Sequence, residues 1–170
     1  GSNARLGSSD ILVAEADESD GSFLLLTPTV AVVTNIDDEH MDHYGSMARL
    51  QDAFAGFANR VPFYGLAVVC LDDPNAAAIL PRISKRVVTY GFDRGADYVA
   101  VDVRHEGPVT HFRAVHHGRD LGAFTLHMPG VHNVLNALAT IAVCEYHGLG
   151  MDVVAAALSG FTGVQRRFTI

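Results

Sequence analysis

Lysine is almost missing from this chain of 170 residues. Lys85 is the only one, acidic residues outnumber Lys and Arg by 19 to 12, and the formal charge is -7. A broad basic face of the kind that neutralises nucleic-acid phosphates is thereby excluded, and no nucleic-acid partner is expected. Any phosphate must instead be met locally, by a divalent cation, a helix N-terminus or a few arginines. Cysteine is nearly as scarce. Cys70 and Cys144 sit in the apolar contexts AVVCL and IAVCEY, where cysteine behaves as a small buried hydrophobe, so neither a disulfide framework nor a zinc site is expected. No run approaches the ~18 apolar residues of a membrane-spanning helix, and the first residues lack a basic region followed by an apolar signal core. The expectation is a soluble chain without membrane insertion. Internal repeats and low-complexity tracts are lacking too. So is any G-x-x-x-x-G-K-[ST] segment, with its amides, phosphate-binding lysine and magnesium hydroxyl.

What is present is a hydrophobic content of 49%, enough for one substantial core in a chain of single-domain size. Residues 11 to 16 (ILVAEA) and 29 to 34 (TVAVVT) are short apolar runs without strict alternation, as in parallel strands covered on both faces. Ser46 can cap a helix running to about Arg60, with Leu50, Phe54 and Phe57 at helical spacing and Pro62 beyond its end. A strand from Leu66 to Leu71 leads through Asp72 and Asp73 into a helix with Pro74 in its first turn, and another strand covers Arg86 to Tyr90. This βαβ rhythm predicts an α/β fold with a mostly parallel, doubly wound sheet. From Tyr98 to His127 three shorter strands, broken by HEGP and HHGRD, predict a small antiparallel annex. A helix over Val131 to His147 ends at Gly148, and Asp152 is expected to cap another.

Both early strands end in polar clusters, and ligands of open α/β sheets bind beyond the carboxyl ends of strands. Glu15 abuts the apolar ILVA run, where a buried carboxylate needs a partner to stay charged. Asp17, Glu18 and Asp20 follow within a few residues, flanking Ser19. Such a run is either a solvated acidic loop or one whose mutual repulsion a hard divalent cation relieves. The second strand end, NIDDEHMDHY, delivers His40 to the same edge, with His43 as a possible substitute. A lone histidine is more often a surface or core-satisfied ring, but this placement favours a ligand. In PGVHNVLNALA, Asn133 and Asn136 lie three apart near a helix start, beside His132. They serve either as a cap and one polar helix position or as amides that read a heterocycle. Arg166 and Arg167, in GVQRRF, suit bidentate phosphate or carboxylate contact, or belong to an exposed linker.

The order strand-EADESDGSF-strand-TNIDDEHMDHYG, followed by HNVLNA and GVQRRF, resembles the central, ATP-binding domain of the Mur ligases, and most the members that add L-alanine. The resemblance covers nearly all of the chain but only the later part of that domain. It implies a P-loop-NTPase-like sheet whose P-loop segment is missing, with residues 1–165 as a partial central domain and 166–170 as the start of a linker to a C-terminal domain. By the same resemblance, ATP and magnesium (Mg2+) are the cofactors, with Glu15 and His40 as catalytic metal ligands. Asn133, Asn136 and His132 lie near the adenine, and Arg167, or Arg166, reaches the phosphates. Asp17, Glu18 and Ser19 are weaker candidates for substrate contact. The implied reaction joins L-alanine to UDP-N-acetylmuramate through an acyl phosphate in the bacterial cytoplasm, during peptidoglycan precursor synthesis. The related tripeptide-recycling ligases, which tend to carry EADEYD, are the alternative, and the segment alone is expected to bind without catalysing. One departure is that several members place a carbamylated lysine in the helix after the metal histidine, whereas the helix from Ser46 to Arg60 has none.

Overall fold

The computed structural model describes residues 6–163. Its six strands form one sheet in sequential order. β1 (Val30–Val33), β2 (Leu66–Cys70), β3 (Val87–Gly91) and β4 (Tyr98–Glu106) run parallel, with Val30 opposite Leu66, Ala67 opposite Val87 and Tyr90 opposite Tyr98. β5 (Val109–His116) and β6 (Arg119–Leu126) then return antiparallel. The expected annex is thus a continuation of the parallel sheet. Its strands, of nine, eight and eight residues, are longer than the four to five residues of β1 to β3, not shorter. The long strands bend at two irregularities. In β4 the register shifts between Val101 and Arg104, where Asp102 has φ 54°, and opposite Ala114 and Val115 of β5 it shifts in β6, which carries the extra residue Leu121. Such bulges allow a long edge to twist.

Helices cover both faces. On one side lie α2 (Met47–Ala58) and α3 (Pro74–Ile79), packed on Val33, Ala67 and Val69. On the other lie α4 (Val131–Tyr146) and α5 (Met151–Gly160), packed on Val68, Cys70, Tyr90, Phe112 and Phe124. β2, between two parallel partners and under helices on both faces, is buried at every residue, which explains its unbroken apolar sequence. The start signals work as the residue types dictate. Ser46 accepts from Arg49 N to cap α2, and Asp73 accepts from Ala76 N to cap α3, with Pro74 at the first helical position. For α5 the cap residue is Gly150. Asp152 falls in the first turn, without a capping bond, where its charge suits the helix dipole.

Residues 11 to 16 depart from expectation. They form no strand, and Ile11, Leu12 and Val13 are 56%, 89% and 89% exposed. A parallel strand needs ladder partners as well as apolar side chains, and these residues make no ladder with β1, the outer strand of the described sheet.

Because β6 is parallel to β4, its carboxyl end lies on the same edge of the sheet as those of β1 to β4. That edge therefore carries the loop after β1, the loop after β2 and the start of α4. The opposite edge is closed by the end of α4, where the Tyr146 hydroxyl donates to the Tyr64 carbonyl at 2.7 Å.

Candidate functional site

The acidic run and the histidine loop do meet, though through a different carboxylate from the one expected. His40 Nε2 lies 3.8 Å from a carboxylate oxygen of Glu18, and both side chains are about one-third exposed (39% and 34%). Glu15 is exposed, not buried, and makes no ion pair with His40 among the described residues. The premise of a carboxylate held inside an apolar strand therefore fails with the strand itself. His40 has φ 57°, in the left-handed region, just ahead of the single-turn helix α1 (Met41–Tyr44). His43 belongs to that turn, with its ring edge-on to Tyr44.

Two aromatic anchors that the sequence reading passed over dock the acidic run here. Phe23, in a short 3-10 turn (Ser22–Leu25), packs on Phe54 and Phe57 of α2 with ring centroids 5.3 and 5.2 Å apart. Tyr44 is buried, and its hydroxyl donates to the Glu18 carbonyl. Burial, with Glu18, Asp20 and Asp17 nearby, raises the pKa of that phenol. The signal was available in the apolar SFLLL immediately after the acidic run.

The expected mutual repulsion within the run is partly relieved by its own backbone. Asp17 accepts from Ser19 N and Asp20 from Ser22 N, each at 2.8 Å. Hydrogen bonds from Ser19 and Ser22 hold the two carboxyls below the ordinary aspartate value. Among the described residues no three His, Cys, Asp or Glu side chains form a ready cage for a metal. A magnesium site does not require one, since it takes one or two protein carboxylates and fills its remaining positions with water and substrate phosphate. The Glu18 and His40 side chains, facing each other on an open carboxyl edge, suit such a partial site and not a closed one.

The second group of expected residues also converges. His132, Asn133, Asn136 and Thr140 of α4 line a cavity of about 830 Å³ whose far wall is Val153 and Leu158 of α5. Its apolar walls with a few amides and a ring along one side suit a flat heterocycle. Asn133 is partly committed, because its amide donates to the Pro129 carbonyl at 2.6 Å. It thus holds the turn at Gly130, which has φ 100°, and its side-chain oxygen has no partner among the described residues. Asn136 is exposed and makes no such tie among the described residues. Arg166 and Arg167 lie outside the described residues.

The model of the Mur ligase middle domain matches residues 3–144. The chain belongs to the Mur ligase family. Among curated relatives, the UDP-N-acetylmuramate–L-alanine ligase of Sorangium cellulosum is 60% identical over 170 residues, and that of Myxococcus xanthus 56% over 169. This Mur ligase segment spans 36% of the length of each. Among solved structures, a UDP-N-acetylmuramate-alanine ligase from Thermotoga maritima superposes with a TM-score of 0.77 at 29% identity, over 91% of this chain and 34% of its own. A UDP-N-acetylmuramate:L-alanyl-gamma-D-glutamyl-meso-diaminopimelate ligase from Neisseria meningitides gives the same TM-score at 26%, over 89% and 48%. The fold alone therefore does not separate alanine-adding from tripeptide-adding Mur ligases.

Proposed function

We propose that this chain is part of the central domain of an ATP-dependent ligase that joins L-alanine to UDP-N-acetylmuramate in the bacterial cytoplasm. The observation that carries the reading is the 60% identity along the whole chain to a ligase of that name. In the reaction, the muramyl carboxylate takes the γ-phosphoryl group of ATP and releases ADP. The alanine amine then attacks the acyl phosphate, forming the amide and expelling phosphate. Magnesium, when bound, offsets negative charge on the transferring phosphoryl group.

The residues of this chain take complementary parts. His40, with Glu15 or Glu18 from the facing run, supplies metal ligands at the carboxyl edge, and Asp17 and Ser19 border the substrate side. Asn136, His132 and the free oxygen of Asn133 offer polar contacts to the base of the nucleotide, while the α5 side of the cavity excludes water from its faces. Arg166 and Arg167 remain the candidates for phosphate contact.

The test uses the full-length protein, with phosphate release measured in UDP-N-acetylmuramate, ATP and magnesium. L-alanine should support turnover and the tripeptide should not; the reverse preference would assign the chain to the recycling branch. Glu15→Gln and Glu18→Gln, compared side by side, should identify the carboxylate that works with His40. The one that matters should cost at least about 10- to 100-fold in activity or metal affinity, the loss typical of groups that only support a ligand. Wild-type magnesium titrations for both would remove the acidic run from the metal site.

A further inference from the structure

The loop that carries His40 is tied at Ile36 to the start of α3. Ile36, four positions before His40, is 1% exposed, and both of its backbone polar groups are held by side chains from a distant part of the chain. Asp73 Oδ1 accepts from Ile36 N at 3.3 Å while also accepting from Ala76 N at 2.7 Å. Asn75 Nδ2 donates to the Ile36 carbonyl at 2.8 Å. The Asn75 amide is in turn oriented by α2, because Gln51 Nε2 donates to its Oδ1 at 3.2 Å. With its oxygen engaged, the Asn75 side chain presents its NH2 to Ile36 and has no reason to flip. The neighbouring residues close the loop locally, Thr34 Oγ1 donating to Asn35 Oδ1 at 2.9 Å and Asn35 Nδ2 to Asp37 Oδ2 at 2.8 Å.

For a buried residue whose two backbone groups are satisfied from outside its own segment, sliding or rotating the chain there would leave buried polar groups unpaired. Beyond it, Asp37, Asp38, Glu39 and His40 are all exposed. Their placement relative to the sheet edge is set on one side by Ile36 and on the other by α1, whose Tyr44 is buried and whose first turn bonds back to the His40 carbonyl.

We infer that Asn75 and Asp73 are positioning residues for the metal-binding loop, setting where His40 stands by clamping Ile36, with Gln51 orienting the clamp. The inference rests on the reading of His40 as a metal ligand. Asp73 serves α3 as a cap in any case, so Asn75 isolates the clamp.

The experiment uses the full-length protein with Mn2+ as the probe, titrated in the presence of a non-hydrolysable ATP analogue. Amide hydrogen exchange over residues 36–40 and the melting temperature are measured on the same samples. Asn75→Ala should raise the Mn2+ dissociation constant about tenfold, the lower end of what groups supporting a ligand contribute, and should speed exchange at Ile36. Gln51→Ala should act in the same direction and less. Asp73→Asn, which keeps the acceptor oxygen, should stay near wild type, whereas Asp73→Ala should resemble Asn75→Ala. A lowered melting temperature in Asn75→Ala with wild-type Mn2+ affinity would reduce Asn75 to an ordinary stabilising contact and overturn the inference. His40→Ala tests the premise separately. Wild-type Mn2+ affinity in that variant would refute the metal role of His40, and the inference with it, even if Asn75→Ala still speeds exchange at Ile36.

Discussion

Two apolar runs of the same character have opposite fates in this chain. LAVVC, residues 66 to 70, is buried at every position, whereas ILVA, residues 11 to 14, is exposed throughout. The side chains would gain equally from leaving water, at about 25 cal/mol per Å² of apolar surface. What differs is the backbone. β2 has a parallel ladder on each side and helices on both faces, while residues 11 to 14 have no ladder among the described strands. Apolar composition sets how much burial is worth, and available partners decide whether it happens. The sharpest test makes one chemical change in both runs. In this 170-residue chain Leu66→Ala should cost about 2–5 kcal/mol by leaving a cavity under α4, and Leu12→Ala should lie within about 0.5 kcal/mol of wild type. Denaturant unfolding measures both, and a loss above ~1 kcal/mol for Leu12→Ala would mean that residues 11 to 14 are packed in solution after all.

The entry into β2 gives a second, smaller test of how tightly that strand is held. A Cβ at Gly65 would stand 2.4 Å from the Thr29 carbonyl oxygen and 2.9 Å from the Pro62 ring. That same carbonyl accepts from Leu66 N at 3.1 Å, in the first bond across to β1. The obstacle is backbone, so it cannot swing aside. Gly65→Ala should destabilise by about 1–3 kcal/mol, as overpacking does. Gly107→Ala is the contrasting substitution in the sheet's other half. Its Cβ would meet nothing within 4 Å, so it should cost only the strain of its positive φ of 59°. If Gly107→Ala proved the more damaging of the two by melting temperature, close approach would not be what limits the β2 entry.

Much of the fold was legible because local signals and burial agreed. Ser46, Asp73 with Pro74, and the apolar cores of β1 to β3 marked elements to within a residue or two, since each cap or run acts through neighbours in sequence. The first strand was misplaced for the converse reason, since its fate depends on a partner strand, which no local pattern encodes. The site divides in the same way. The acidic run and the His40 loop meet at one edge as expected, though without the strand that was to carry the run there, and His132, Asn133 and Asn136, read together at one helix start, line one cavity. The sequence could not say that Glu18 would be the carboxylate reaching His40. That follows from Phe23 and Tyr44 docking the run, through tertiary contacts between residues 26 to 34 positions apart. Nor could it show that the Asn133 amide is half spent on Pro129, which depends on the turn at Gly130.

Carboxylates in the two regions also owe their charge to different sources, and pH separates them. Asp17 and Asp20 are held ionised by serines two residues away in an exposed loop, contacts that an unfolded chain can partly keep. Glu145, near the end of α4, depends on the folded sheet. Burial opposes its ionisation, but hydrogen bonds from Tyr98 and Arg119 and the charges of His116 and Arg119 outweigh it and hold its carboxyl below the ordinary glutamate value of 4.5. His116 Nδ1 lies 3.0 Å from it, tying α4 to β5, and Arg119 ties it to β6. A carboxyl whose pKa is lower folded than unfolded adds stability that is fully present above the unfolded value and is lost as pH falls through the folded one. Glu145 should therefore stabilise the protein above pH 4.5 and cease to do so in more acid solution. The contribution is about 1 kcal/mol or less, since Arg119 is largely exposed. Glu145→Gln should lower the melting temperature at neutral pH and flatten its decline below the glutamate range, while Asp20→Asn should leave that decline in place. An acid limb as steep in Glu145→Gln as in wild type would mean that α4 is held to the sheet by its apolar face alone.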